Sequence, residues 1–202
     1  MNKNTVFDTN DESGTGRRIT VNATVDNAKT VTVTGSGTVR YNRVNDNTAA
    51  LTVSGTATLE LGADAKTGTG AVTVNTDATL SVPEAGTGTV GGNLTLQSGA
   101  KLSFAIGGVG DGPKISMATG TTVDVSGVTA ANPVTVSFST PGDDRIRSFE
   151  PYVLIQGAGL AAGGAEKFSL ADNQPAWVES LAVVDGDLVL VAKRPGLMMS
   201  IR

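Results

Sequence analysis

At 202 residues, with a net charge of -4 and a pI near 4.8, the chain is long enough for a packed core and too acidic to suit a nucleic-acid partner, which needs clustered Lys and Arg. It contains no histidine and no cysteine, which excludes Ser-His-Asp and Cys-His nucleophiles, His general bases and zinc sites built on nitrogen or sulfur. Abundant Thr and Val, 26 Gly and only 4% aromatic residues suit half-buried strands joined by tight corners, with little helix.

The chain opens on a polar entry segment, 1–16, in which Val6 and Phe7 are the apolar exceptions; it reads as a frayed strand. The opening MNKNTVFDTNDESG has no apolar run of a secretory leader, and no run of 18 apolar residues follows, so an exported native protein is expected to be longer than this piece. From Arg17, RRITVNATVD alternates Ile19, Val21, Ala23 and Val25, a first rung without a full double pair.

Five similar segments then follow. TVTVTGSGTVRYN begins at Thr30, ALTVSGTATLELG at Ala50, AVTVNTDATLSVP at Ala71, NLTLQSGAKLSFA at Asn93 and KISMATGTTVDVS at Lys114. In each, an apolar pair at i and i+2 is answered eight residues later by a second: Val31 and Val33 by Val39 and Tyr41, and so on to Ile115 and Met117 by Val123 and Val125. Successive copies start 20, 21, 22 and 21 residues apart. Alternation inside each pair predicts strand, the Gly, Ser, Asn or Asp between pairs predicts a turn, and the period predicts a solenoid.

A single copy cannot stand alone. Ordering about 20 residues costs roughly 1 to 2 kcal/mol each, whereas each of its buried side chains returns only roughly 1.5 to 3 kcal/mol. Copies stacked as rungs of a parallel β-helix would pool their apolar residues into one column. An antiparallel sandwich would accept the same short strands, but does not require the eight-residue offset to be kept in every copy.

After Gly127 the pattern changes. PVTVSFS, from Pro133, offers Val134, Val136 and Phe138 with no answering pair; a polar hook, PGDDRIR from Pro141, then leads to PYVLIQ, KFSL and WVESLAVVDGDLVLVAK. The last reads as a hairpin with Asp185-Gly186 at its tip. Aromatic residues concentrate here (Phe138, Phe149, Tyr152, Phe168, Trp177), as an element covering the bare end of an apolar column requires. The organisation expected is an entry segment over 1–16, rungs over 17–140, a capping region over 141–193 and a tail or linker over 194–202.

Rungs such as AVTVNTDATLSV and NLTLQSGAKLSF, followed by YVLIQGAGL, KFSL and DGDLVLVAK, resemble the autotransporter-associated β-strand repeats of bacterial surface proteins, over roughly Ala50 to Lys193. The resemblance implies an all-β, right-handed parallel β-helix with a C-terminal hairpin-rich cap that aids folding on export. It further implies that this sequence is the C-terminal passenger fragment of a secreted or outer-membrane-associated protein, a non-catalytic, rigid stalk with an adhesive role, attached in the parent protein to a membrane anchor outside this sequence. The partner it implies is a host or environmental surface glycan or protein.

Carboxylate chemistry of the polysaccharide lyase or glycoside hydrolase kind is the alternative from a different class. It needs an acid and base within several ångströms, or Ca²⁺ held by several oxygens. Glu60 and Asp124 share a slot in the aligned copies but three rungs apart, roughly 14 Å at the usual strand spacing, so no catalytic, cofactor or metal residue is nominated. Asp143, Asp144, Arg145 and Arg147 form the densest polar cluster and read as a solvated hook, as do the Arg17-Arg18 and Lys193-Arg194 pairs. GTGTVG from Gly86 matches a phosphate-binding glycine pattern but leads into a strand, so it reads as a corner. GGVGD from Gly107 has Gly112 where a calcium repeat needs Asp, and reads as a turn. Thr32, Thr52, Thr73 and Thr95, with Ser116 in the fifth copy, form an outward ladder that suits flat-surface binding as well as ordinary exposed strand.

Overall fold

The computed structural model describes residues 4–10, 16–25, 28–83, 86–106, 114–139 and 151–193. Among them the chain is all-β, with one short 3₁₀ helix at Gly164–Lys167. The strands are β1 (Thr5–Asp8), β2 (Arg18–Val21), β3 (Val31–Thr34), β4 (Thr38–Tyr41), β5 (Leu51–Val53), β6 (Thr58–Leu61), β7 (Val72–Val74), β8 (Thr79–Val82) and β9 (Gly88–Val90). They continue as β10 (Leu94–Leu96), β11 (Lys101–Ala105), β12 (Ile115–Met117), β13 (Val123–Asp124), β14 (Val134–Ser139), β15 (Tyr152–Gln156), β16 (Phe168–Leu170), β17 (Val178–Val184) and β18 (Asp187–Ala192).

Three sheets share these strands. The first runs β1-β3-β5-β7-β10-β13 and the second β2-β4-β6-β8-β11-β14-β16, in parallel pairing throughout. The third runs β9-β12-β15 in parallel and is closed by β18 and β17, both antiparallel. Parallel pairing between copies overturns the sandwich of hairpins, which would have set neighbours in opposite senses.

Register explains the core. Val31, Leu51, Val72, Leu94 and Val123 are successive partners in the first sheet, and Val39, Leu59, Leu80, Leu102 and Val136 in the second. All are buried and belong to one continuous apolar cluster. Because strand side chains alternate, one apolar residue in two suffices to fill the interior while the others face out.

The corner between the first two sheets is built the same way in several copies. Gly35, Gly55, Asp77 and Gly99 all take positive φ (102°, 67°, 65° and 77°), the region glycine and short polar residues tolerate. Ala57, Ala78 and Ala100 follow, each donating its N–H to the carbonyl three residues back (Ser54, Asn75, Gln97), and each is fully buried. A small residue is needed there because the corner turns inward.

Four expectations are corrected. The fifth copy does not repeat the others: Ile115 and Met117 pair with Gly88 and Val90 in the third sheet, and Val123 pairs with Leu94 in the first. Val134 to Phe138, which seemed to lack a second pair, is itself the second-sheet strand and pairs with β11. The glycine pattern at Gly86 is no plain corner, for Gly88–Val90 is a strand; a Cβ on Gly88 would stand 2.7 Å from the Leu61 side chain, so only glycine fits. The entry segment also contributes more than a frayed end: β1 pairs with β3 over four residues, with Phe7 packed on the core.

The closing region begins as a continuation. PYVLIQ joins the third sheet and KFSL the second, both in parallel, and only the β17–β18 hairpin reverses sense. Its tip is as expected, with Asp185 and Gly186 at φ 51° and 85°. Val123 donates to the Ala158 carbonyl (2.8 Å) and Leu160 to the Gly186 carbonyl (3.0 Å), so the loop after β15 and the hairpin tip are laid successively over the last first-sheet strand.

Candidate functional site

The outward positions of the first sheet form a face without charge between its ends. Thr32, Thr52, Thr73 and Thr95 are direct cross-strand partners, all half-buried. The ladder is entered from Val6 and ends on Asp124; Ser116 lies instead in the third sheet, beside Thr89 and Gln156. At the usual spacing the threonines repeat about every 4.8 Å along a flat row.

The second sheet presents a different outer face. One column reads Arg18, Thr38, Thr58, Thr79, Lys101 and Thr135, the neighbouring one Thr20, Arg40, Glu60, Ser81, Ser103 and Ser137. Arg18 Nη2 meets Glu60 Oε2 at 2.5 Å, reaching past β4, while Arg40 Nε donates to Asn42 Oδ1 at 2.7 Å. Lys101 Nζ lies 3.2 Å from Asp77 Oδ1. The second threonine column was readable in the sequence, since Thr precedes the second apolar pair in three consecutive copies, as Thr38, Thr58 and Thr79.

Glu60 and Asp124 do not share a slot. Glu60 is on the second sheet and Asp124 on the first, which removes even the distant pairing expected of them. Asp124 Oδ1 accepts the Ser126 N–H at 2.8 Å, and hydrogen bonds from the Ser126 backbone and side chain hold its carboxyl below the ordinary aspartate value. Among the described residues no group of three or more Asp and Glu could hold a metal ion. The Asp143, Asp144, Arg145 and Arg147 hook and the GGVGD turn lie outside the described residues, as do Phe149 and the tail.

No family model, curated protein or solved structure matches the chain. What the molecule can do therefore rests on its own surfaces.

Buried polar residues that sequence reasoning missed hold the side where the early copies lack a third-sheet strand. Asn45 Nδ2 donates to the Arg43 and Lys66 carbonyls (3.1 and 2.8 Å), and its Oδ1 accepts the Val25 N–H (2.8 Å). One amide thus joins three segments about 20 residues apart. Thr67 Oγ1 accepts from Gly91, and a Cβ on Gly91 would fall 1.9 Å from the Gly68 carbonyl oxygen, so backbones here stack directly. The signal for these residues was an absence, NDNT from Asn45 standing where no apolar pair occurs.

At the closed end, a cavity of about 430 Å³ opens between Val125-Ser126 and the loop from Leu160 to Lys167. Lys167 Nζ crosses beside it to the Val128 carbonyl (3.0 Å), tying the loop to the turn below. Trp177 lies 6.2 Å, ring to ring, from Phe138, which lies 6.2 Å from Phe104. This aromatic row joins the closing region to the column. Deep in the column, burial pushes the Tyr41 phenol well above its ordinary pKa, so it stays neutral.

Proposed function

We propose that the three sheets are the sides of one right-handed parallel β-helix. We read it as a non-catalytic stalk and interaction module of a secreted or surface-exposed bacterial autotransporter-like protein. The β17–β18 hairpin is its folding cap and the threonine face its adhesive side, directed at a surface glycan or protein. The observation that carries this reading is the in-register stack Thr32, Thr52, Thr73, Thr95 above a buried stack of Val33, Val53, Val74 and Leu96. Such a stack makes a stiff rod with a regular, uncharged, half-polar surface. That surface suits extended ligands better than a small substrate, because it offers repeated weak contacts and no enclosure.

Separation of Glu60 and Asp124 onto different sheets supports the non-catalytic reading over a carbohydrate-cleaving one. The test is binding of the whole chain to arrayed surface glycans and matrix proteins, beside a T52K/T73K/T95K variant and a T58K/T79K control on the second sheet. The first-sheet variant should lose binding by tenfold or more, and the control should keep it. Equal binding by all three would refute the adhesive face. Release of new reducing ends or unsaturated uronates from any arrayed polysaccharide would refute the non-catalytic reading.

A further inference from the structure

The corner between the first and second sheets is tight in the early copies and opens in the last. A Cβ on Gly55 would stand 2.9 Å from the Gly35 carbonyl oxygen, and one on Gly99 2.6 Å from the Asn132 amide nitrogen, so those corners lie directly on one another. A Cβ on Gly127 would meet only Gln97 Oε1, at 3.7 Å, and one on Gly163 would meet nothing within 4 Å. The space so left is the cavity of about 430 Å³ between Val125-Ser126 and the loop from Leu160 to Lys167. Chain bounds it on both sides. Below, the Val128 N–H closes the turn on the Val125 carbonyl (3.0 Å); above, the Leu160 N–H on the Gly186 carbonyl (3.0 Å) fastens the loop to the hairpin.

Its size falls in the range of small-ligand sites, about 300 to 1,000 Å³. Its walls divide by chemistry. Leu160 is buried, Val125 is half-buried with its side chain on the core, and Ala161 adds a third aliphatic surface. Lys167 is half-buried, and of its three ammonium hydrogens one goes to the Val128 carbonyl. Among the described residues no carboxylate pairs with Lys167 and no cation with Glu166. Ser126 gives its hydroxyl hydrogen to the Asp124 carboxylate, which leaves the hydroxyl oxygen as an acceptor. One cavity thus holds spare donors on an ammonium, acceptors on a carboxylate and a hydroxyl, and an aliphatic wall.

We propose that this cavity binds a small zwitterion of the α-amino-acid class with an aliphatic side chain. The ligand carboxylate takes the remaining Lys167 hydrogens, its ammonium bonds to Glu166 and Ser126, and its side chain covers Val125, Leu160 and Ala161. Charge-assisted bonds of this kind are roughly twice as strong as neutral ones. A plain carboxylic acid would satisfy Lys167 but bring a like charge to Glu166, and a plain amine would do the reverse. Only a ligand carrying both charges suits both groups. The proposal goes beyond the stalk reading and does not rest on it, since the cavity uses none of the threonine columns and involves no reaction.

Titration of the full chain with L-leucine, followed by the NMR amide shifts of Gly163 and Gly164, tests this beside leucinamide and N-acetylleucine. Leucine should saturate at or below about 1 mM. Leucinamide, which lacks the carboxylate, and N-acetylleucine, which lacks the ammonium, should each bind about tenfold more weakly. Lys167→Met keeps the aliphatic stem and removes the charge, and Glu166→Gln neutralises an exposed side chain; each should weaken leucine by about tenfold. Because Lys167 also ties the loop, Glu166→Gln decides: it removes the like charge facing N-acetylleucine, which should then bind at least as tightly as to the parent while leucine binds less tightly. No saturation by leucine up to about 10 mM overturns the proposal. So do equal affinities for the three compounds, shifts that spare Gly163 and Gly164, or a Glu166→Gln chain that keeps the parent's affinity for leucine or loses both ligands.

Discussion

Replacing Trp177 tests how the closing region is fastened to the column. Trp177 is 8% exposed and its ring lies tilted against that of Phe138, while among the described residues its Nε1 has no hydrogen-bond partner. Truncating a buried Trp to Ala costs about 3 to 5 kcal/mol, and removing an unsatisfied buried donor returns about 1 to 3 kcal/mol. Trp177→Ala should then lose roughly 2 kcal/mol net. Trp177→Phe keeps a ring against Phe138 and gives up about 50 Å² of apolar contact, near 1 kcal/mol, which relief of the unpaired N–H offsets. It should match the parent within about 1 kcal/mol.

Because strands contact only their neighbours in a stack, the loss should be local. Amide exchange in β14, β15 and β16 should accelerate by up to about 30-fold in Trp177→Ala, with β3, β5 and β7 unchanged. Mass spectrometry of exchanged peptides reads this directly. Far-UV circular dichroism should follow denaturation, since Trp177 is the only tryptophan. Unchanged exchange at β14 to β16, or equal acceleration at β3 to β7, would refute the claim that the aromatic row holds the cap.

Gly91→Ala should cost about 3 kcal/mol by urea titration, because its Cβ would fall 1.9 Å from the Gly68 carbonyl oxygen. Gly120→Ala meets nothing within 4 Å but sits at φ +81°, so it should cost only about 1 kcal/mol, and equal losses would deny the backbone stacking. Leu80→Ala, between Leu59 and Leu102, should cost about 2 to 5 kcal/mol, and Thr79→Ala on the outer face less than about 1 kcal/mol. Asp124 has a folded pKa below its unfolded one, so its contribution is present above the ordinary aspartate value of about 3.9 and is lost as pH falls through the lower folded value. Melting of Asp124→Asn across that acid range should fall less steeply than the parent's.

Much of the local structure was legible. Apolar pairs at i and i+2 marked β3 to β8, β10 and β11, and the hairpin tip followed from Asp185-Gly186. The Gly or Asp between pairs became the positive-φ corner. The first-sheet threonine ladder was also readable through Thr95, because the copies up to that point stay in phase.

The third sheet was not legible. Gly88–Val90 is a strand by virtue of its partners, with a glycine packed on Leu61 where the pattern offered no apolar pair. Asn45 does the work of a strand by hydrogen bonds to segments remote in sequence, which no local pattern announces.

Residue order alone settles which side chains point inward and where the backbone must turn, because alternation and positive φ are properties of neighbouring residues. It does not settle which sheet a strand joins. Ile115 and Val123 kept the eight-residue offset yet entered the third and first sheets, since an apolar pair reads the same on every side and only the partner laid beneath it distinguishes them. That partner comes from 27 to 29 residues earlier, and the fold supplies it.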